Sequence, residues 1–164
     1  SLCYPIRLAH GYWEETGDTS PFDADWKEAM KLVVKTFKEQ QRLENNGPYK
    51  FERTTSWATD GVPLGGYGYP TKKIGLIHSM FRPSDDACTY GYLIPSNMLL
   101  VVVMGYLAEI ADTIYHDKAL ADRAAKLAEK VRTAIEKEGV INYYGDRFYA
   151  YEVDGFGQYL LMDD

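Results

Sequence analysis

Between Met98 and Leu107 the chain reads MLLVVVMGYL, apolar on every side of any helix drawn through it. A helix without a polar face has to be buried on most of its sides. The helix reads as Ser96 to Tyr115, with Pro95 suited to its first turn and Ile94 or the residues before it as cap. His116-Asp117 breaks it. A second helix then spans Lys118 to Glu138, with Leu120, Ala124, Leu127, Val131 and Ile135 on one face, charges on the other, and Gly139 as a natural C′ residue. One buried helix followed by one amphipathic helix predicts an antiparallel pair, inner and outer. The longest uninterrupted apolar run, Met98 to Met104, is far short of the roughly 20 residues of a membrane span.

The same alternation is present upstream. Leu2 to Thr16 reads as the end of a helix closed by Gly17-Asp18. Thr19, Ser20 and Asp23 then offer N-cap oxygens, and Trp26, Met30, Val33 and Phe37 recur at helical spacing over Ala24 to Glu44. Asn45-Asn46-Gly47-Pro48 stops that helix. Residues 49–94 follow as one long irregular stretch holding six glycines and five tyrosines, with short strands expected at Tyr49–Thr54 and Ile74–Phe81. Loops this long inside a folded domain are usually functional or disordered, and the aromatic content opposes disorder. Near alternation of Tyr143, Tyr144, Phe148, Tyr149 and Tyr151 predicts a hairpin with Gly145-Asp146 at its turn. Helices alternating with aromatic loops fit an α/α toroid, whose loops at one end build the site, and also a helical bundle with insertions. A toroid needs more helix pairs than 164 residues supply, so the expectation is part of a larger domain, with apolar faces exposed where other helices would pack.

Composition narrows the function classes. The net charge of −6, with no Lys/Arg cluster, opposes a nucleic-acid partner. His10, His78, His116, Cys3 and Cys88 show no metal-ligand spacing, and the cysteines read as buried thiols. Fourteen tyrosines, six phenylalanines and three tryptophans suit a wet cleft, since Tyr and Trp join an apolar face to a polar tip as sugars do.

The densest chemical constellation is Phe81-Arg82-Pro83-Ser84-Asp85-Asp86-Ala87-Cys88-Thr89-Tyr90. Glycoside hydrolysis uses one carboxylic acid to protonate the leaving oxygen and one carboxylate on the opposite face. Adjacent side chains diverge, so Asp85 and Asp86 read as one acid and one residue bound to a hydroxyl or to Arg82, rather than as the acid and base together. A capping cluster at a helix start is the plainer reading. Whichever aspartate lies nearer Arg82 is expected to be the ionised one. Arg53, Asp60, Tyr92, Asn97 and His78 have side chains able to bind sugar hydroxyls, as have Ser84, Tyr90, Asp163 and Asp164; each also has a structural reading. Trp57 reads as a stacking platform or as core.

Gly75-Leu76-Ile77-His78-Ser79-Met80-Phe81-Arg82-Pro83-Ser84-Asp85-Asp86-Ala87 and its continuation through Met98 are similar to the signature of glycoside hydrolase family 125. Phe51-Glu52-Arg53-Thr54, the Gly65-Gly66-Tyr67-Gly68 run, and Tyr151-Glu152-Val153-Asp154-Gly155-Phe156-Gly157 resemble further family segments. Roughly two dozen residues in order, spread over the whole chain, make a specific match. The resemblance implies an all-α fold, part of an (α/α)6 barrel with long loops and short β-hairpins, residues 1–164 being a piece of the catalytic domain incomplete at both ends. It implies an exo-α-mannosidase that removes non-reducing terminal α-1,6-linked mannose with inversion and without metal or other cofactor. The general acid maps to Asp86 or Asp85, with Asp86 favoured, and the general base to a Glu beyond this chain, so Glu152 is not promoted to that role. The implied partners are a mannose-containing oligosaccharide and the rest of the parent barrel. The alternative is a helical fragment that binds carbohydrate without catalysis.

Overall fold

The structure, a computed structural model, describes residues 2–163. Helix α1 (Cys3–Thr16) ends where Gly17 turns left-handed at φ 69° and returns its N–H to Trp13. Helix α2 (Ala24–Gln40) starts at Asp23, whose carboxylate accepts the Trp26 N–H at 2.8 Å. It ends four residues short of Glu44. Buried Gln41 and Arg42 turn inward instead: Gln41 Nε2 donates to the Gly75 carbonyl, and Arg42 leaves the helical region with φ 54°.

Helix α3 (Pro63–Gly66) is a single kinked turn. Helix α4 (Ile94–Thr113) carries Pro95 in its first turn, and α5 (Lys118–Glu138) is capped by Asp117, which accepts the Leu120 N–H. Gly139 follows α5 with φ −94°, not the left-handed C′ geometry expected. Its lack of a side chain serves close packing, since a Cβ there would lie 2.8 Å from the Ile135 carbonyl oxygen.

Helix α4 lies along α5, α1 packs on α4, and α2 meets α5. Thus α1 and α4 form an inner layer and α2 and α5 an outer one. His10 of α1 stacks on Tyr106 of α4 at 3.9 Å, and Trp26 of α2 stacks on Tyr115. The core is a stripe of Leu100, Val103, Met104, Leu107 and Ala111 on α4 set against Leu120, Ala124, Leu127 and Val131 on α5. By length and composition α4 could cross a membrane, but its packing within this core accounts for its apolar sequence. Burial of α4 is less complete than expected: Val102 and Gly105 face outward. On α1, Tyr4, Leu8 and Tyr12 form an exposed apolar stripe.

The strands expected at Tyr49–Thr54 and Ile74–Phe81 are absent. Their backbone groups find partners one at a time on different segments. Phe51 donates to Gly66, His78 to the Gln40 carbonyl and Ser79 to Gly91, while Ile77 donates to the Asn97 side chain. No ladder can form when each partner belongs to another part of the chain. Strands β2 (Val140–Tyr143) and β3 (Asp146–Tyr149) make the expected hairpin, one residue out of place: Tyr144 and Gly145, with φ 49° and 90°, are the turn, and Asp146 pairs with Tyr143. A two-residue hairpin turn of this hand needs positive φ at both central positions. A small antiparallel sheet, β1 (Tyr92–Leu93), β4 (Glu152–Val153) and β5 (Tyr159–Leu160), ties the entrance of α4 to the C-terminal segment.

Candidate active site

Residues 80–88 fold back on themselves. Phe81 bridges Ala87, Cys88 donates its N–H to Met80, and Arg82 donates to the Asp86 carbonyl at 2.7 Å. The loop closes with the Asp85 N–H on the Arg82 carbonyl and Asp85 at φ 71°. Pro83 suits the first turn position, and aspartate is among the few side chains that tolerate the left-handed one. Pro83, Ser84 and Asp85 are therefore the exposed tip, while Asp86 just inside it is half-buried. Among the described residues, neither aspartate side chain is held in a backbone cap, contrary to the capping reading.

Arg82 goes the other way. Its guanidinium is buried and donates from Nε to Glu152 Oε1 at 2.7 Å and from Nη1 to Asp163 Oδ1 at 2.9 Å. The expectation that it pairs with Asp85 or Asp86 is thus corrected: the tip turns outward after Arg82, and its charge is answered from the far end of the chain. The Glu152 hydrogen bond holds the guanidinium above its ordinary pKa. Glu152 is fully buried, and its second oxygen accepts the N–H groups of Thr89 and Tyr90 at 3.0 and 2.9 Å. Burial, reinforced by this carboxylate, pushes the Cys88 thiol up and leaves it unreactive. Glu152 therefore joins the hairpin, the 89–90 backbone and Arg82 into one buried unit. Sequence reasoning noted Glu152 only as a residue not to promote. Its structural role depends on a partner seventy positions away, which no local pattern reveals.

The remaining predicted residues divide. Ser84 is exposed at the tip, and half-buried Tyr90 follows the hairpin. Arg53 is exposed and bound to Asp60 through that residue's carbonyl. Asp163 is exposed but answers Arg82, and Asp164 lies outside the described residues. Tyr92 and Asn97 are corrected to structural residues. Tyr92 is fully buried with its hydroxyl on the Lys72 carbonyl; Asn97 is 1% exposed and hydrogen-bonds both backbone groups of Ile77 and the Leu93 carbonyl. Their polar atoms are consumed in fastening the 72–77 segment to the start of α4.

A cavity of about 820 Å³ opens between the start of α1, the end of α2, the 77–83 segment and the first turns of α4. Arg82 and Pro83 reach its wall, while Asp85 and Asp86 are not among the residues that line it. His78 also lines it and is buried, and neither ring nitrogen completes a hydrogen bond. A Cβ on Gly91 would collide with its ring, so only glycine admits it. Burial, with the Arg42 guanidinium nearby, pushes the His78 imidazole down to about 3 from 6.5. The unfolded chain then binds a proton between pH 6.5 and 3 that the folded one refuses, so His78 lowers stability as pH falls through that window and does nothing above it. Denaturant midpoints of the full-length protein should decline over this range, and His78→Gln should flatten the decline. An unchanged slope in that variant would reject the assignment.

Comparisons with known proteins agree with this architecture. The profile of the metal-independent α-mannosidases, glycoside hydrolase family 125, matches residues 1–164. The chain is 35% identical over 175 aligned positions to the meiotically up-regulated gene 157 protein of Schizosaccharomyces pombe, covering 100% of this chain and 34% of that protein. It also superimposes with a TM-score of 0.95 and 38% identity on a Streptococcus pneumoniae metal-independent α-mannosidase, solved as a non-productive complex with α-1,6-mannobiose. That match covers 99% of this chain and 39% of the solved one, so the chain spans a third to two-fifths of its relatives. The layered helices are accordingly similar to a portion of an α/α barrel.

Proposed function

The chain belongs to the metal-independent α-mannosidases of glycoside hydrolase family 125, and from that premise we propose that the whole protein is an inverting exo-mannosidase acting on non-reducing terminal α-1,6-linked mannose. Residues 1–164 form part of its barrel, and the base comes from chain beyond Asp164. Asp86 is the general acid. The observation that carries this reading is its placement: half-buried, uncapped, and on a hairpin whose root is locked by the buried Arg82–Glu152 pair. A proton donor has to be held still and leave its oxygens available to the leaving group. Asp85, more exposed and at the tip, is a hydroxyl-binding residue, together with Ser84 and Tyr90. Arg82 and Asp163 act as positioning residues rather than sugar ligands, since each answers the other.

Inversion at an α-mannoside releases β-mannose, because water enters opposite the departing oxygen. Proton NMR of the full-length protein on α-1,6-mannobiose should therefore record the β anomer first, with turnover insensitive to EDTA. The α anomer first would reject inversion. Binding without turnover would favour a non-catalytic carbohydrate-binding role.

A further inference from the structure

Trp57 is 72% exposed and takes no part in the core built by residues 2–163. An indole this open is held there by an ordered loop. The Trp57 backbone N–H donates to Thr55 Oγ1, and the Trp57 backbone carbonyl accepts the Asp60 N–H. The Asp60 carboxylate accepts from Thr55 Oγ1, and the Asp60 carbonyl accepts from Arg53 Nε. The loop is then joined to the catalytic hairpin, because the Ala87 N–H donates to the Thr59 carbonyl at 2.9 Å. Trp57 lies two residues from Thr59 and Asp86 one residue from Ala87, so one hydrogen bond links the strip bearing the indole to the strip bearing the acid. Below them the Phe51 and Phe81 rings meet edge to face at 5.0 Å, packing the two strips together.

We propose that Trp57 is the platform on which the leaving-group sugar stacks while Asp86 protonates the bond between it and the terminal mannose. This deepens the mannosidase reading and rests on it. The chemistry favours a pyranose over other occupants. A pyranose offers a face of C–H groups to the indole and hydroxyls to its surroundings. The exposed hydroxyl residues Thr55, Ser56 and Thr59 flank Trp57. With a net charge of −6, the chain does not invite a stacked nucleobase with its phosphates.

The test compares two substrates of the full-length enzyme. α-1,6-Mannobiose has a leaving-group ring; α-mannosyl fluoride has none. In Trp57→Ala, the ratio of kcat/KM for mannobiose to that for the fluoride should fall about tenfold, mostly through KM, the worth of one aromatic stack. Trp57→Phe should recover most of it. The melting temperature should move by less than about 2 °C, as for other exposed positions. An unchanged ratio, or equal loss on both substrates, overturns the proposal. So does a large fall in melting temperature, which would place Trp57 in a packed interface of the whole protein. If wild-type enzyme turns over neither substrate, the mannosidase reading fails instead, independently of Trp57.

Discussion

Replacing Asp86 by Asn in the full-length protein should lower kcat on α-1,6-mannobiose by 10²- to 10⁴-fold, the usual worth of a positioned general acid. The substitution keeps shape and hydrogen-bonding capacity but has no proton to give at neutral pH. An alkoxide of a sugar is a poor leaving group and needs that proton. Fluoride does not. The same variant should therefore retain most of its rate on α-mannosyl fluoride, and this contrast separates loss of the acid from loss of the fold. Asp85→Asn should affect both substrates alike and far less, because Asp85 stands at the exposed tip. If Asp85→Asn gives the contrast and Asp86→Asn does not, the roles of the two aspartates are exchanged. If neither does, the hairpin does not carry the acid.

The largest effect on stability is expected from Glu152→Ala. Among the described residues it leaves the buried Arg82 guanidinium with Asp163 as its one carboxylate partner, and leaves the Thr89 and Tyr90 N–H groups without their acceptor. Removing one partner of a buried ion pair costs about 3–5 kcal/mol, mostly the penalty of the stranded charge. Denaturant unfolding of the full-length protein measures this directly. Replacing both partners, Arg82→Met with Glu152→Leu, should cost less than Glu152→Ala alone, since no charge then remains buried. A double variant worse than either single one would mean that the pair contributes net stability beyond mutual neutralisation. Because Arg82 roots the hairpin that carries Asp86, the proposed acid, Glu152→Gln should also depress turnover more than binding.

The site was partly legible in the chain. Asp85 and Asp86 stood out because two adjacent carboxylates stand near an arginine and several hydroxyls, and because the surrounding run resembles a family signature. Local order could not say where Arg82 points. The chain reverses at Asp85, a residue in the left-handed region, and the Arg82 guanidinium pairs with Glu152 and Asp163 rather than with either neighbouring aspartate. Tyr92 and Asn97 looked like sugar ligands because their side chains can bind hydroxyls. They are structural because the irregular segment beside α4 needs buried acceptors and donors, and they supply them. Trp57 was ambiguous for the converse reason: an aromatic residue suits core and surface equally until the fold exposes it.

What the sequence by itself determined is the four long helices, the Asp23 cap of α2, and the inner place of α4 against the outer α5. These follow from hydrophobic period and from side chains reaching backbone groups within four residues. What only the tertiary structure decided is everything joined at long range. The pairing of Arg82 with Glu152 and Asp163, the absence of strands in the 49–94 stretch, and the exposure of Trp57 all depend on segments that meet only after the helices pack. Hydrogen bonds and ion pairs depend on distance in space, and local sequence carries no record of distances between residues seventy positions apart.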